Sequence, residues 1–294
     1  MSINKVTIIG LGLMGGSLGM ALRKKVPTIE VCGVDRQSEI VRQAEKKGSV
    51  DYGTIDLGKG VRGADLIFLA TPLAVMPCLC ITMQPYLKQG AIITDLGSTK
   101  EQLVKCLEEI LPEGVFFLGG HPMAGSEKKG IKEARADLLE NAVYILTPTT
   151  KTKVQVIDTL STFLYRLGVR IILLSPAEHD RKIAAVSHLP HLLANALLNT
   201  VGILEEEEEG YFSLSAGGFR DTTRIADSQS EMWTEILLQN RKALMPVVKR
   251  FRSVLAEYEE ALRKEDSVCL QELLEKARQR KQKNHKIMAH GKMF

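Results

Sequence analysis

From residue 1 to residue 174 the chain alternates short apolar runs, rich in β-branched residues, with longer stretches of helical periodicity. The runs are Val6 to Gly10, Val31 to Asp35, Leu66 to Thr71, Ala91 to Asp95, Val115 to Leu118, Val143 to Thr147 and Val169 to Leu174. They are apolar throughout rather than at every second position, as strands buried on both faces are, and the segments between them suit crossover helices. Residues 1–174 are therefore expected to form an α/β doubly wound domain of Rossmann type. The pattern changes at Ser175-Pro176-Ala177-Glu178, where serine as N-cap, proline at the first helical position and glutamate at N3 make a strong helix start. Beyond it only long helical periodicities occur, such as Met232 to Leu262, so residues 175–294 are expected to be all-α.

Composition narrows the class without changing this picture. A chain of 294 residues with 45% hydrophobic and 25% charged positions is ordinary for a two-domain globular protein. No run approaches the roughly 18 apolar residues of a membrane span, and MSINKVTIIG enters a strand with no secretory signal, so a cytoplasmic protein is expected. Cys32, Cys78, Cys80, Cys106 and Cys269 are odd in number and never spaced Cys-x-x-Cys. They indicate neither a disulfide framework nor a zinc site, and reduced, mostly buried thiols are expected. The 39 basic residues outnumber the 35 acidic ones only through the tail, since seven Lys or Arg and no acid follow Glu275. Without interleaved aromatics that tail reads as a solvated helix end, not a nucleic-acid footprint, and so does the Glu205 to Glu209 run. The helical part carries Leu189, Leu192, Leu193, Leu197, Leu198, Ile236, Leu237 and Leu238, more apolar positions than a lone bundle of its size would bury. A homodimer formed through it is the expected remedy.

The chemistry begins at Gly10-Leu11-Gly12-Leu13-Met14-Gly15, which follows the first strand and opens a helix. Its glycines permit a tight turn, close approach of backbone to a pyrophosphate, and helix–strand packing, while the helix N-terminus offers free N–H groups. Asp35, ending the second strand, suits a ribose 2′-hydroxyl and repels a 2′-phosphate. NAD is therefore expected in preference to NADP, although Arg36 beside it could accommodate the phosphate. Thr71, the last residue of the Leu66 run, and Pro72 after it join the cofactor-binding set. His121 follows Gly119-Gly120 and precedes Pro122 at the end of the Val115 run, where ligands of open α/β sheets bind. The glycines are expected to clear space for a ligand and the ring to move a proton. Ser98 ends another strand and fits a capping box with Glu101, a role compatible with bonding a substrate alcohol. His188 and His191 lack a third metal ligand at suitable spacing, so no metal is expected. Arg220 and Arg224, four apart, would share a helical face as a fork for carboxylates, unless Asp221 and Glu127 neutralise them in surface pairs. Trp233, the sole tryptophan, is assigned to core packing.

Taken together, GLGLMGGSLG, TDLGSTK, GGHPMAGSE, VSHLPH and GGFRDTTRIA closely resemble the prephenate and arogenate dehydrogenases of tyrosine biosynthesis, in order and over essentially the whole chain. The resemblance implies a Rossmann domain, a helical dimerisation domain and active sites between them. It implies that His121 is the catalytic histidine, that Ser98 orients it and the substrate alcohol, and that Arg224 binds a carboxylate with His191 and Arg220 around it; His188 joins the expected substrate-binding set. Glu127 and Asp221 match acidic positions that engage that arginine before substrate arrives. Some relatives have lysine at the Arg220 position, which makes its role less general. The implied reaction is NAD-dependent oxidative decarboxylation of prephenate, with arogenate or both substrates as the alternative. A 3-hydroxy-acid dehydrogenase would need a lysine base in a glycine-rich helix of the second domain, which the sequence lacks; a catalytically silent NAD-binding redox sensor is the rival from another class. Many relatives append a regulatory domain for which this chain ends too soon, so tyrosine is expected to act, if at all, as a competitive inhibitor or through a separate partner.

Overall fold

Leu66–Leu69 illustrates how the sheet is made: Leu66 and Phe68 pack into one apolar cluster and Ile67 and Leu69 into the other, so a strand apolar at every position has both faces covered. In the computed structural model, which describes residues 2–126 and 128–290, the apolar residues of its neighbours Lys5–Ile9 and Ile92–Asp95 likewise divide between the two clusters. The elements of the sheet region run β1 (Lys5–Ile9), α1 (Leu13–Lys25), β2 (Glu30–Val34), α2 (Ser38–Lys46), β3 (Tyr52–Thr54), α3 (Leu57–Val61), β4 (Leu66–Leu69), α4 (Met76–Met83), β5 (Ile92–Asp95), α5 (Glu101–Ile110), β6 (Phe116–Phe117), β7 (Gly119–Pro122), β8 (Val143–Thr147), α6 (Val154–Tyr165) and β9 (Arg170–Leu173). Helices follow: α7 (Pro176–Ile183), α8 (Leu189–Glu207), α9 (Gly217–Thr223), α10 (Ser230–Gln239), α11 (Arg241–Arg263) and α12 (Ser267–His290).

Strands β1 to β6 form one parallel sheet in the order β3-β2-β1-β4-β5-β6. The order reverses between β1 and β4, the switch point at whose carboxyl ends a Rossmann sheet binds its nucleotide. The remaining strands make a separate sheet, β7-β8-β9, with β7 antiparallel to β8 and β8 parallel to β9. Two strands were not expected, β3 and β7. The first is three residues long and the second contains two glycines and a proline, so neither presents an apolar run.

Sheet gives way to helix at Ser175, which caps α7 by accepting from the Glu178 N–H at 3.3 Å, with Pro176 at the first helical position. After β9 the described residues contain no strand. The long periodicity from Met232 is interrupted at Asn240, which separates α10 from α11. Glu205, near the end of α8, is more than solvated charge: its carboxylate accepts from the backbone N–H of Gly210 and Phe212 at 3.1 and 3.0 Å. Of the five cysteines only Cys32 and Cys80 are buried, and Cys78 is exposed, so the thiols are not mostly buried.

By compactness the chain divides into residues 1–243 and 244–294. The described residues of the second unit form a helical hairpin of the remainder of α11 and α12, turned by Glu265 in the left-handed region and capped where Asp266 accepts from the Cys269 N–H at 2.9 Å. Among the described residues no helix is long and apolar enough to cross a membrane.

Candidate active site

The glycine turn between β1 and α1 has three separable reasons for its residues. Gly10 adopts φ +95°, and a Cβ there would lie 2.5 Å from the Ala70 carbonyl oxygen. A Cβ on Gly15 would lie 1.9 Å from the Gly10 oxygen, so the helix can approach the turn only without one. At Gly12, the N-cap of α1, a Cβ would meet no protein atom within 4 Å. That face of the turn is open, and the first N–H groups of α1 have no side-chain cap, which is what an anionic pyrophosphate requires. Leu13 and Met14 form the first turn, Met14 packing into the core. Asp35 braces the turn by accepting from the Leu11 N–H at 3.0 Å through Oδ2, while Oδ1 accepts from Gln37. Arg36 and Pro72 are exposed, and the Thr71 hydroxyl beside Gly10 is buried with no partner. The residues present fit a dinucleotide.

His121 does not end the Val115 run, as the sequence suggested; it lies within β7, opposite Ile145 of β8. Nor do Gly119 and Gly120 make room for a ligand. A Cβ on Gly119 would lie 2.4 Å from Thr147 Oγ1 and 3.1 Å from Lys100 Cδ, and one on Gly120 2.6 Å from the Asp95 oxygen and 2.9 Å from the Tyr144 hydroxyl. The glycines let β7 close onto the carboxyl end of β5. Asp95 makes the junction: Oδ1 accepts from the Gly120 N–H at 3.0 Å, and Oδ2 accepts from the Gly97 N–H at 2.8 Å and from the Lys100 ammonium. Both side chains of the Asp95–Lys100 pair are fully buried.

Ser98 sits in the loop that Asp95 holds, half-buried, and it does not cap α5. The capping carboxylate comes instead from α7. Asp180 Oδ1 accepts from the Lys100 N–H at 2.8 Å and Oδ2 from the Glu101 N–H at 2.9 Å, placing an anion on the N-terminus of α5. The same Asp180 Oδ1 lies 2.7 Å from His179 Nδ1, and His179 Nε2 lies 2.8 Å from His121 Nδ1. Burial above all, with the repulsion that a protonated His179 or His188 would add and the positive charge of Lys100, holds the His121 pKa well below the ordinary 6.5, so its ring is neutral at pH 7. Burial likewise lowers His179, against the hydrogen bond to Asp180. Burial would raise Asp180, yet the bonds from His179 and the Glu101 and Lys100 amides leave it lowered and ionised.

Between α7 and α8 the chain makes a π-helical turn, Ala184–His188, which accommodates Pro190 in the second position of α8. His188 is buried, and Asn240 ties it to α7: the Asn240 amide donates to the Asp180 carbonyl at 2.9 Å and to His188 Nδ1 at 3.0 Å. The break between α10 and α11 is thus the point where a side chain turns inward. Burial pushes His188 down to about 4. His191 stacks on Trp233 with ring centroids 3.5 Å apart, so the tryptophan does more than fill a core; His188 Nε2 and His191 Nδ1 are buried without partners. Arg224 opens the short helical turn after α9 that packs on α8, Arg220 and Asp221 lie on α9 itself, and all three are exposed. Glu127 lies outside the described residues.

The structure therefore ties His121 to the Ser98 loop through Asp95, and ties His188 to both through Asn240 and Asp180. Sequence reading passed over His179, Asp180, Asn240, Asp95 and Lys100. The one available signal was in α7, where His179 and Ile183 are spaced i, i+4 on its buried face.

A neutral buried imidazole on the carboxyl-end side of a sheet whose switch point fits a dinucleotide defines a class, the nucleotide-dependent oxidoreductases. Residues 18–173 match the family model for the nucleotide-binding domain of prephenate dehydrogenase, and residues 175–276 match that for its dimerisation domain. The chain belongs to the prephenate dehydrogenase family. It is 37% identical over 282 residues to a prephenate dehydrogenase of Lactococcus lactis subsp. cremoris, covering 95% of this chain and 77% of that protein. It is 35% identical to a cyclohexadienyl dehydrogenase of Zymomonas mobilis, covering 91% of each. A crystal structure of prephenate dehydrogenase from A. aeolicus in complex with hydroxyphenyl propionate and NAD+ superimposes with a TM-score of 0.90 at 32% identity, covering 96% of this chain and 99% of that one.

Proposed function

We propose that the protein oxidises prephenate with NAD, releasing carbon dioxide and leaving 4-hydroxyphenylpyruvate. The observation that supports this best is the state of His121: buried, neutral, engaged through Nδ1 and left with Nε2 to accept a proton. Gly10, Gly12 and Gly15, the amides of Leu13 and Met14, and Asp35 would hold NAD, together with Thr71 beside Gly10 and the exposed Pro72 and Arg36. Bound there, NAD supplies the hydride acceptor. Asp35, already committed to the turn, disfavours a 2′-phosphate and hence NADP.

Prephenate has a 4-hydroxyl on a cyclohexadienyl ring and a carboxylate across from it. His121 Nε2 takes the hydroxyl proton as hydride leaves the same carbon, and the Ser98 hydroxyl orients that alcohol. The new carbonyl then draws in the electron pair released as carbon dioxide departs, and aromatisation makes the step effectively irreversible. Arg224 grips a carboxylate, His191, His188 and Arg220 line the same end, and Asp221 and Glu127 hold the arginine until substrate arrives. The helical residues from 175 onward would pair two copies, since Ile203, Leu204 and Leu238 are among the apolar side chains left exposed there. Tyrosine, which shares the product's ring, would compete at this site.

Arogenate, with an ammonium in place of the side-chain keto group, is the second reading, favoured by the cyclohexadienyl dehydrogenase relative. Initial rates of NADH formation and carbon dioxide release, with prephenate and arogenate and with NAD and NADP, test both. The highest kcat/KM is expected for prephenate with NAD, one carbon dioxide per NADH. A higher value for arogenate would reassign the substrate, and no turnover of either would leave the redox-sensor reading.

A further inference from the structure

We propose that His179 and Asp180 form with His121 a proton relay that fixes which nitrogen of His121 is the base and takes over the charge the reaction places on it. The proposal rests on the reading of His121 as base, and it follows from the only proton placement that satisfies the contacts. Asp180, ionised, can only accept; it already accepts from the Lys100 and Glu101 amides, so His179 Nδ1, 2.7 Å away, must carry a proton. A neutral His179 then has a bare Nε2, which can only accept. The atom 2.8 Å from it, His121 Nδ1, must therefore be the donor, leaving the lone pair of His121 on Nε2.

The step balances without any further reactant. The substrate O–H proton passes to His121 Nε2, the Nδ1 proton of His121 passes to His179 Nε2, and His179 becomes the imidazolium hydrogen-bonded to the Asp180 carboxylate; the electron pair of the C–H bond leaves as hydride to NAD. Charged groups around the pair give this a reason. Among the described residues, those that act electrostatically on His121 are His179 of α7, Lys100 at the start of α5 and His188 of the π turn, none of them a carboxylate. His179 faces Lys100 too, but also Asp180 in contact and Asp95 nearby. A positive charge is better placed on the second ring than on the first. His179 is thus a positioning residue that acts through His121.

Histidine-labelled protein examined by 15N NMR at neutral pH gives a readout independent of activity. Both His121 and His179 are expected as Nδ1–H tautomers, and a His121 protonated on Nε2 would overturn the proposal whether or not the enzyme turns over prephenate. The second readout is the single-turnover rate of NADH formation in mixtures of H2O and D2O. The wild type is expected to give a bowed dependence on deuterium fraction, two protons being in flight. His179→Gln keeps an acceptor for His121 Nδ1 but cannot take its proton, so a linear dependence is expected with a rate lower by roughly 10- to 100-fold and NAD affinity unchanged. A linear wild-type dependence, which needs no variant to fold, would overturn the relay, as would His179→Gln with wild-type rate and curvature. Absence of NADH from either substrate would instead fault the functional reading.

Discussion

Asp95 ends β5 and holds the loop that carries Ser98 with one oxygen and the strand that carries His121 with the other. Its charge is matched by Lys100, and neither side chain touches water. Removing one member leaves the other buried and uncompensated, which costs far more than the pair itself contributes. Lys100→Met is expected to lower stability by about 3–5 kcal/mol in urea titrations. Combining it with Asp95→Asn should recover part of that loss, and a double variant no better than the single one would contradict the pairing argument. Arg224 acts at the same scale by a different effect. If it grips a carboxylate equally in ground and transition states, Arg224→Ala raises KM by roughly 10- to 100-fold with kcat little changed. A steady KM with a collapsed kcat would place Arg224 in the chemistry instead.

The glycine turn separates cofactor binding from folding within one element. Gly12→Ala meets no protein atom, so its Tm is expected to stay close to that of the parent while the KM for NAD rises at least tenfold; Gly15→Ala, with its Cβ 1.9 Å from the Gly10 oxygen, is expected to lower Tm markedly. Unaltered NAD binding in Gly12→Ala would move the cofactor off this turn. Such glycines were legible because strand, turn and helix agree locally, as they also do at Ser175. The capping of α5 was not. Ser98-x-x-Glu101 satisfies the local rule, yet Asp180, 79 residues beyond Glu101, takes the position, because a tertiary carboxylate can reach two backbone N–H groups at once. The glycines before His121 misled for a related reason: sequence reports that space is cleared, and only packing reveals that Lys100 and Tyr144 occupy it. Asn240 was hidden inside a periodicity that runs through it, since a one-residue break leaves the apolar spacing intact.

For the molecule as a whole, the buried histidines set how stability follows pH. His121, His179, His188 and His191 all have pKa values lowered from 6.5, and in each burial is the largest cause. Below that pH the unfolded chain binds protons that the native one refuses, so stability is complete above 6.5 and falls as pH drops towards about 4, the His188 value. A urea midpoint lower at about pH 5 than at about pH 7.5 is expected, and an equal or higher one would contradict the neutral assignments. Light scattering at micromolar concentration is expected to return twice the mass of one chain. In the proposed reaction His121 removes the alcohol proton during hydride transfer. The most direct measurement is the kcat of His121→Asn for NADH formation from prephenate, alongside its affinity for NAD. A fall of about 10² to 10⁴ with NAD binding retained is the predicted result, and a variant as fast as the parent would contradict it.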